Sequence, residues 1–247
     1  MMDNYKSIFC DLDGCLISGD EALFGAKSFV QYCKSKLWVV SNNSSDTGVS
    51  LSEKLSRLGL EIAPDRLVLA GELSIRHLAQ QCPGGKVSLY TDAPLCQLAE
   101  ELGLRQTDDR PDIVLLARNR SFNLDSLERI CRQLKQGSRF FVTNIDATHP
   151  GNHGEPVPET GALLSAVITC LPDARFTSFG KPDTALLDVA FERSGEAPED
   201  SVFVGDNAET DGLAAARAGL DFIHITHAQF SSQPPRELHQ ETGVQPC

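Results

Sequence analysis

Residues 7–14 read Ser-Ile-Phe-Cys-Asp-Leu-Asp-Gly, an apolar run that ends in two aspartates and a glycine. A short apolar run before such a polar end is typical of a strand buried in a parallel sheet. Asp11 ends the run, Asp13 follows two positions later, and Gly14 allows a sharp exit. Two carboxylates this close repel each other, so a cation or a shared proton is expected between them. A helix cap or an Asx-turn would explain one aspartate, but it explains the pair less well.

Outward from this stretch, apolar runs alternate with amphipathic stretches along nearly the whole chain. The apolar runs predict strands at Ser7–Asp11, Leu37–Ser41, Lys86–Tyr90, Asp112–Leu116, Phe140–Thr143, Ser201–Gly205 and Asp221–His224. The periodic stretches predict helices after Ser45, with Leu51, Leu55 and Leu58 on one face, and over Pro94–Leu102, Asn123–Lys135 and Asp183–Arg193. This alternation indicates an α/β fold with a largely parallel sheet. The tail Ser231–Cys247 is expected to be loosely structured.

Composition and charge exclude several function classes. The 247 residues suffice for one large domain or two modest ones, and 34 acidic against 22 basic residues give a net charge of −12. Such a chain repels nucleic acid and anionic membranes, and no Lys/Arg run reverses the field. The stretch Ala162–Leu171 is about half of what a bilayer requires, and the start lacks a signal-peptide pattern. We therefore expect a cytoplasmic protein that binds neither nucleic acid nor membrane.

The eight cysteines show neither a CxxC pair nor zinc-type spacing. Reduced packing thiols are therefore expected rather than disulfides.

Three further polar groups directly follow apolar runs. They are Ser41-Asn42-Asn43-Ser44, Gly180-Lys181-Pro182, and Gly205-Asp206-Asn207 with Asp211 beyond it. Amides and hydroxyls at a helix start can bind phosphate, although the same residues also suit a simple helix cap. Lys181 can neutralise a phosphoryl oxygen, Asp206 suits a metal, and Asp211 can equally match a helix dipole. Because ligands bind at the carboxyl ends of parallel strands, these groups are expected to meet at one edge of the sheet.

In this order, the four groups resemble the haloacid dehalogenase superfamily, whose motifs are DxDG, Ser/Thr, Lys and GDxxxxD. The finer resemblance is to its NagD-like, p-nitrophenylphosphatase branch (subfamily IIA), where the second motif reads TNNS and a TNxD segment precedes a PGxG-like stretch. The corresponding segments here are SNNSS at 41–45, TNID at 143–146 and PETG at 158–161. The resemblance extends from about Lys6 to about Ile225.

The resemblance implies a Rossmann-like parallel-sheet core interrupted by an inserted α/β cap domain of the C2 type. The core would comprise residues 1–69 and 176–247, and the cap residues 70–175. Capped relatives of this kind often dimerise through the cap, so a homodimer is a candidate assembly.

The resemblance also implies a phosphoric monoester hydrolase that uses Mg²⁺ and acts on small phosphorylated metabolites of the sugar, polyol, nucleotide or pyridoxal phosphate type. Asp11 would attack phosphorus and form an aspartyl-phosphate, while Asp13 would act first as acid and then as base. The metal would be held by Asp11, the Asp13 carbonyl and Asp206, with Asp211 in support. Lys181 would bind the phosphoryl oxygens together with Ser41, Asn42 and Asn43.

Asp146 and His149 are the candidate substrate residues of the cap. His149 resembles a histidine that pyridoxal phosphatase members carry three residues after the TNxD aspartate, but His149 and His153 can equally be two polar loop residues. A zinc site at this pair would lack a third ligand. His224 and His227 are expected to be structural. Glu159 stands where the family usually has glycine, and Cys15, directly after DxDG, is interpreted as a packing residue with some risk of oxidation.

Two other functions remain open at this point. A response-regulator-like signalling module also uses an acceptor aspartate, but it is shorter, has no inserted cap and lacks an acid two residues after the acceptor. A dehalogenase-type hydrolase of the same superfamily needs neither Asp13 nor magnesium, because halide leaves unprotonated. Steady turnover of p-nitrophenyl phosphate with Mg²⁺ would distinguish a phosphatase from both.

Overall fold

The computed structural model describes residues 2–152 and 155–225, which form two five-stranded parallel sheets and two small hairpins. In chain order the strands are β1 Ser7–Cys10, β2 Ile17–Ser18, β3 Glu21–Ala22, β4 Leu37–Ser41, β5 Leu67–Leu69, β6 Lys86–Tyr90, β7 Arg105–Gln106, β8 Ile113–Leu116, β9 Arg139–Val142, β10 Thr148–Pro150, β11 Pro156–Pro158, β12 Phe176–Ser178, β13 Ser201–Gly205 and β14 Asp221–His224. The helices are α1 Ala26–Cys33, α2 Gly48–Arg57, α3 Ala70–Gln81, α4 Ala93–Glu101, α5 Leu124–Lys135, α6 Thr160–Cys170, α7 Ala185–Ser194 and α8 Leu213–Ala218.

The first sheet has the order β14-β13-β1-β4-β5, and its neighbouring strands all run parallel. The chain moves from β1 outward to β4 and β5, and later returns to the other side of β1 as β13 and β14. The strand order therefore reverses at β1, which is where ligands bind in open α/β sheets. The predicted α/β fold with a parallel-sheet core is confirmed.

Both faces of this sheet are covered, which explains why its central strands are apolar at consecutive positions. Ile8 and Cys10 of β1 pack on one face with Leu55 of α2, whereas Phe9 packs on the other face with Leu186 of α7. This packing fixes the direction of β1, and so fixes where the residues directly after it emerge.

The second sheet has the order β12-β9-β8-β6-β7, again with parallel neighbours. Helices α3 and α4 cover one face through Ile75 and Leu95, and helices α5 and α6 cover the other through Ile130 and Leu164. The division of the chain into core 1–69, cap 70–175 and core 176–247 stays a prediction. The last strand of this sheet, β12, begins at residue 176.

Two hairpins join the sheets next to the DxDG stretch. Strands β2 and β3 form an antiparallel hairpin just after Gly14, and β10 and β11 form another in the second half. The Ser18 hydroxyl donates to the Gly151 carbonyl at 2.9 Å, and the Asp20 N–H donates to Asn152 Oδ1 at 3.1 Å. The second hairpin is thereby held close to the residues that follow β1.

The predicted strands all occur, with ends within one residue of the structure, and the four predicted helices occur as α2, α4, α5 and α7. The sequence pattern does not predict β5, β7 and β12, because two or three residues are too few to show an alternation. It also does not predict the two hairpins or the helices α1, α3 and α6. In the described part of the chain, the seven cysteines from Cys10 to Cys170 are outside disulfides. Within that same part, no helix has the length and apolarity required to cross a bilayer. The tail Ser231–Cys247 lies outside the described residues.

Candidate active site

Lys181 and two aspartates form a buried charged group beneath the end of β1. The Lys181 Nζ lies 2.6 Å from Asp11 Oδ1 and 2.8 Å from Asp211 Oδ1, and it donates to the Val40 carbonyl at 3.0 Å. Lys181 is 1% exposed and Asp211 is fully buried. Both ion-pair partners are required, because an unpaired buried charge costs several kcal/mol. Residues 170 positions apart in the sequence are therefore brought together here.

Burial and neighbouring charges shift the pKa values of Asp11 and Lys181. Burial, more than any other factor, raises the pKa of Asp11 well above its usual value, although the Lys181 charge opposes the rise. Burial acts to lower the pKa of Lys181, but Asp11 and Asp211 outweigh it and raise that pKa. The lysine therefore stays protonated at any physiological pH.

Asp13 lies on the solvent side of Asp11 and is partly buried. Burial raises its pKa to about 6, a rise that His149 opposes and Glu159 and Asp206 reinforce. A carboxyl group with a pKa near the working pH can both donate and accept a proton.

Asp206 lies against the turn after β1. Gly14 has a φ of 82°, and a Cβ at that position would lie 2.0 Å from Asp206 Oδ2, so only glycine permits this approach. Donor atoms of Asp11, Cys15 and Asp206 all lie within 4.8 Å of one another. Two carboxylates at this spacing, with raised pKa values at Asp11 and Asp13, fit a divalent cation.

The second motif lies at the end of β4 and is tied into the protein. Asn42 accepts from the Lys181 N–H at 2.7 Å and donates to Asp146 Oδ2 at 2.7 Å. Asn43 caps the next turn, accepting from the N–H groups of Ser45 and Asp46. The Ser41 hydroxyl accepts from the Asn43 N–H at 3.0 Å.

Through these hydrogen bonds, the side chains of Asn42 and Asn43 hold neighbouring segments of the site in place. A role for Ser41, Asn42 or Asn43 in binding phosphate stays a prediction.

Three residues from the part of the chain that forms the second sheet make up what we call the cap cluster: Arg118, His149 and Glu159. His149 Nδ1 lies 2.7 Å from Glu159 Oε1, and Arg118 Nε lies 3.4 Å from the same oxygen. The other Glu159 oxygen accepts from the Thr160 N–H at 3.2 Å, so the carboxylate caps α6. The hydrogen bond to Glu159 raises the pKa of His149 more than its burial lowers it.

The sequence named His149 and Asp146 as substrate residues, and it noted Glu159 only as a departure from the family pattern. Arg118 was missed, although it follows the apolar run 112–116 and so lies at the carboxyl end of β8. Asp146 accepts from both Asn42 and Asn144, which places it at the junction of the two sheets.

His224 contacts the main chain of a site residue. His224 pairs with the Asp206 carbonyl at 2.9 Å. His153 and His227 lie outside the described residues.

Comparisons with known proteins agree with this geometry. A family model described as haloacid dehalogenase-like hydrolase matches residues 8–105, and a second, HAD-hydrolase-like model matches residues 178–242. The dihydroxyacetone phosphatase of Corynebacterium glutamicum is 30% identical over 94% of this chain and 87% of its own. The 5'-nucleotidase YutF of Bacillus subtilis is 29% identical over 91% of this chain and 88% of its own.

Solved structures give the same result. NagD of E. coli superposes with a TM-score of 0.80 at 27% identity, covering 94% of each chain. The glycerol phosphate phosphatase of Mycobacterium tuberculosis, solved in complex with magnesium, superposes with a TM-score of 0.81 at 26% identity over 92% of this chain and 69% of its own.

A parallel-sheet core with aspartates, a lysine and a second aspartate pair at its strand ends, together with these matches, defines the class: the chain belongs to the haloacid dehalogenase-like hydrolase family. Within that family it is a phosphatase of the NagD and p-nitrophenylphosphatase type. The signalling module and the dehalogenase are thereby set aside.

Proposed function

We propose that the protein is a Mg²⁺-dependent phosphatase that hydrolyses small phosphorylated metabolites through an aspartyl-phosphate on Asp11. The observation that carries this proposal is the position of Asp11, held between the Lys181 ammonium and the carboxylate of Asp206 at the switch point of the sheet. Monoester hydrolysis is slow enough to need up to ~10²¹-fold acceleration, so several groups must act together.

In the first step, Asp11 attacks phosphorus in line with the leaving oxygen, and the P–O bond to the leaving group breaks. Asp13 donates its proton to that oxygen, which acid catalysis makes about 10²–10⁴-fold faster. Lys181 reaches Asp11 from below and can neutralise a phosphoryl oxygen as negative charge moves onto the phosphoryl group.

In the second step, a water molecule attacks the aspartyl-phosphate, and Asp13, now deprotonated, accepts the water proton. Asp11 is released as a carboxylate and phosphate departs. A pKa of about 6 suits both roles of Asp13, because near neutral pH the carboxyl group can donate a proton in the first step and accept one in the second.

Asp11, the main-chain carbonyl of Asp13 and Asp206 would hold the metal, and Asp211 would support it through its ion pair with Lys181. A divalent cation there would neutralise the repulsion between the Asp11 carboxylate and the dianionic phosphate. Carboxylate and carbonyl oxygens are the ligands that Mg²⁺ prefers.

The cap cluster supports a proposal on the substrate class. His149 and Glu159 lie close enough to Asp13 to affect its pKa, and Arg118 contacts Glu159, so the cluster presents a guanidinium, an imidazole and a carboxylate. Such a set can hydrogen-bond hydroxyl groups from both sides, as donor and as acceptor. We therefore propose sugar or polyol phosphates ahead of nucleotides and pyridoxal phosphate. The relatives named dihydroxyacetone phosphatase, acid sugar phosphatase and glycerol phosphate phosphatase support this order, whereas the 5'-nucleotidase YutF supports nucleotides.

We propose, further, a cytoplasmic location and a homodimer formed through the cap. Light scattering coupled to gel filtration measures the mass in solution, and a monomer at micromolar concentration would refute the dimer.

The test of the proposed function uses purified protein, Mg²⁺ and p-nitrophenyl phosphate. We expect steady turnover that a chelator stops and added Mg²⁺ restores. Asp11→Asn, which is nearly isosteric, should abolish turnover while the far-ultraviolet circular dichroism stays unchanged. Turnover without divalent cation, or an Asp11→Asn variant that keeps more than a few per cent of the activity, would contradict the proposal.

A further inference from the structure

The Cys15 thiol lies in the same donor set as the two carboxylates of the metal site. Its Sγ is 3.9 Å from Asp206 Oδ1, and the donor atoms of Asp11, Cys15 and Asp206 lie within 4.8 Å of one another. These atoms come from three places in the fold, namely the end of β1, the turn after it and the end of β13. Cys15 is 1% exposed and belongs to the core cluster on one face of the first sheet, so its thiol is shielded from solvent.

The turn after β1 holds the thiol in this position. The Cys15 N–H donates to the Leu12 carbonyl at 3.3 Å, and the Gly14 N–H donates to the Ile17 carbonyl at 2.8 Å. Gly14 brings the backbone against Asp206, which leaves Cys15 beside the carboxylate. A short, doubly bonded turn gives the thiol little freedom to swing away.

Neighbouring Cys10 packs in the same core cluster as Cys15, and the two thiols interact with each other. The Cys10 thiol donates to the Asp11 main-chain carbonyl at 3.1 Å. Of these two thiols, the cluster of convergent donor atoms includes that of Cys15 alone.

A thiol changes which cations a carboxylate site prefers. Oxygen ligands alone suit Mg²⁺, whereas a thiolate favours softer ions such as Zn²⁺. Tetrahedral zinc, with bonds of about 2.3 Å to sulfur and about 2.0–2.2 Å to oxygen, places sulfur and oxygen about 3.5 Å apart. The observed 3.9 Å is close to that separation, and the longer bonds of Cd²⁺ bring the required value nearer still.

We propose that Asp11, Cys15 and Asp206 form a mixed thiolate–carboxylate site that binds Zn²⁺ or Cd²⁺ through sulfur and so excludes Mg²⁺. On binding, the Cys15 S–H bond breaks, a metal–sulfur bond forms, and the proton passes to the buffer. The bound cation makes this possible, since a coordinating thiol loses its proton. The inference shares the metal position of the proposed function, but it concerns which ion the position selects.

The experiment is a Cd²⁺ titration of the whole protein followed by ultraviolet absorption. A thiolate–cadmium bond gives a charge-transfer band that carboxylate ligation does not. We expect a band that saturates at one equivalent and is reversed by excess Mg²⁺, because surface thiols such as Cys170 do not compete with Mg²⁺. Calorimetry gives the Cd²⁺ and Mg²⁺ dissociation constants in parallel.

Cys15→Ala and Cys15→Ser should lose the Mg²⁺-reversible band. They should also bind Cd²⁺ at least about tenfold more weakly, because mutating even a residue that only hydrogen-bonds a metal ligand lowers metal affinity about 10–100-fold. Their Mg²⁺ affinity should fall less than their Cd²⁺ affinity, because oxygen ligands are the ones that suit Mg²⁺. Cys33→Ala is the matched control, because Cys33 is buried in the same core cluster but does not belong to the donor set of Asp11, Cys15 and Asp206. It should keep the band.

A Mg²⁺-reversible band of equal size in Cys15→Ala, or no such band in the wild-type protein, would overturn the inference. Failure of the proposed function gives a different result. Wild-type protein that hydrolyses p-nitrophenyl phosphate with Mg²⁺ but shows no thiolate band refutes the thiol site alone. Protein that shows the band but never turns over refutes the proposed function alone.

Discussion

At the scale of single residues, the site depends on a balance between carboxylates and one buried lysine. Asp11 and Asp211 both contact Lys181, and together they outweigh the burial that would otherwise favour its neutral form. Asp13 and Asp206 lie nearby and add negative charge. Together the carboxylates carry more negative charge than Lys181 balances. A divalent cation would neutralise this excess, which is why a magnesium site is expected here.

Asp13 gives a pH prediction. Its raised pKa means that the carboxyl group is protonated below about pH 6 and loses its proton as the pH rises through that value. Because the proposed acid acts in its protonated form, kcat/KM for an alkyl phosphate should fall above about pH 6. For p-nitrophenyl phosphate this fall should be much weaker, since p-nitrophenolate leaves without a proton.

Asp13→Asn separates the two duties. It should slow the first turnover of an alkyl phosphate by about 10²–10⁴-fold. The first equivalent of p-nitrophenolate should still be released in a rapid burst, which stopped-flow absorbance measures. Loss of that burst to the same extent would show that Asp13 is not the acid.

The cap cluster gives a prediction on substrate choice. Glu159→Gln removes the charge that raises the pKa of His149, so that pKa should fall, as an NMR titration of the ring would show. The variant's ranking of sugar, polyol and nucleotide phosphates should shift in the direction given by His149→Ala. The rate on p-nitrophenyl phosphate should change less than the ranking.

The histidine also contributes to stability. Because Glu159 raises the pKa of His149, its contribution is fully present below the unfolded value of about 6.5 and is lost as the pH rises through the folded value. Equal unfolding free energies of the wild type and Glu159→Gln at all pH values would contradict this coupling.

At the scale of elements, the turn after β1 depends on Gly14. Alanine there must adopt a left-handed conformation, which costs about 1–2 kcal/mol, and its Cβ would overlap the Asp206 carboxylate. Gly14→Ala should therefore lower the unfolding free energy, weaken Mg²⁺ binding and reduce turnover. Urea denaturation and calorimetry measure the first two.

Gly103→Ala is the control for this prediction. Gly103 has a φ of 80°, close to that of Gly14, but no atom lies within 4 Å of an added Cβ. The unfolding free energy of Gly103→Ala should fall by the same conformational cost of about 1–2 kcal/mol. Its Mg²⁺ affinity and turnover should stay at the wild-type level. Equal loss of metal binding in both variants would show that the contact with Asp206 is unimportant.

At the scale of the whole molecule, Asp146 connects the two sheets. Its Oδ2 accepts from Asn42 at the end of β4 and from Asn144 just after β9, and Asn144 is almost completely buried. This carboxylate oxygen therefore links the motif at 41–44, which follows the first sheet's β4, to the segment that leads into the hairpin β10–β11.

Asp146→Ala should lower the unfolding free energy by about 1–3 kcal/mol, because it leaves a buried amide donor without its acceptor. Amide hydrogen exchange should become faster at 41–43 and 143–147, and KM should rise. Ile145→Ala is the matched control, because Ile145 is the residue before Asp146 and its side chain is 44% exposed. This variant should change none of these quantities. Unchanged exchange in Asp146→Ala would show that the link does not hold the halves together.

Much of the fold can be predicted from residues that are neighbours in the sequence. Each buried strand of the first sheet except β5 is long enough to show an apolar run, and each motif follows its strand within a few residues. The short strands β5, β7 and β12 leave no such pattern, so the sequence predicts only the β14 edge of the first sheet and neither edge of the second.

The parallel α/β fold and the positions of the polar groups can be predicted from the sequence, because strand periodicity and strand ends are encoded by neighbouring residues. Which of those groups touch is set by the tertiary packing. Lys181 joins Asp11 to Asp211, Asn42 meets Asp146 across 104 positions, and Arg118 and His149 share Glu159. Such contacts depend on how two separately packed sheets face each other, and no local pattern carries that information.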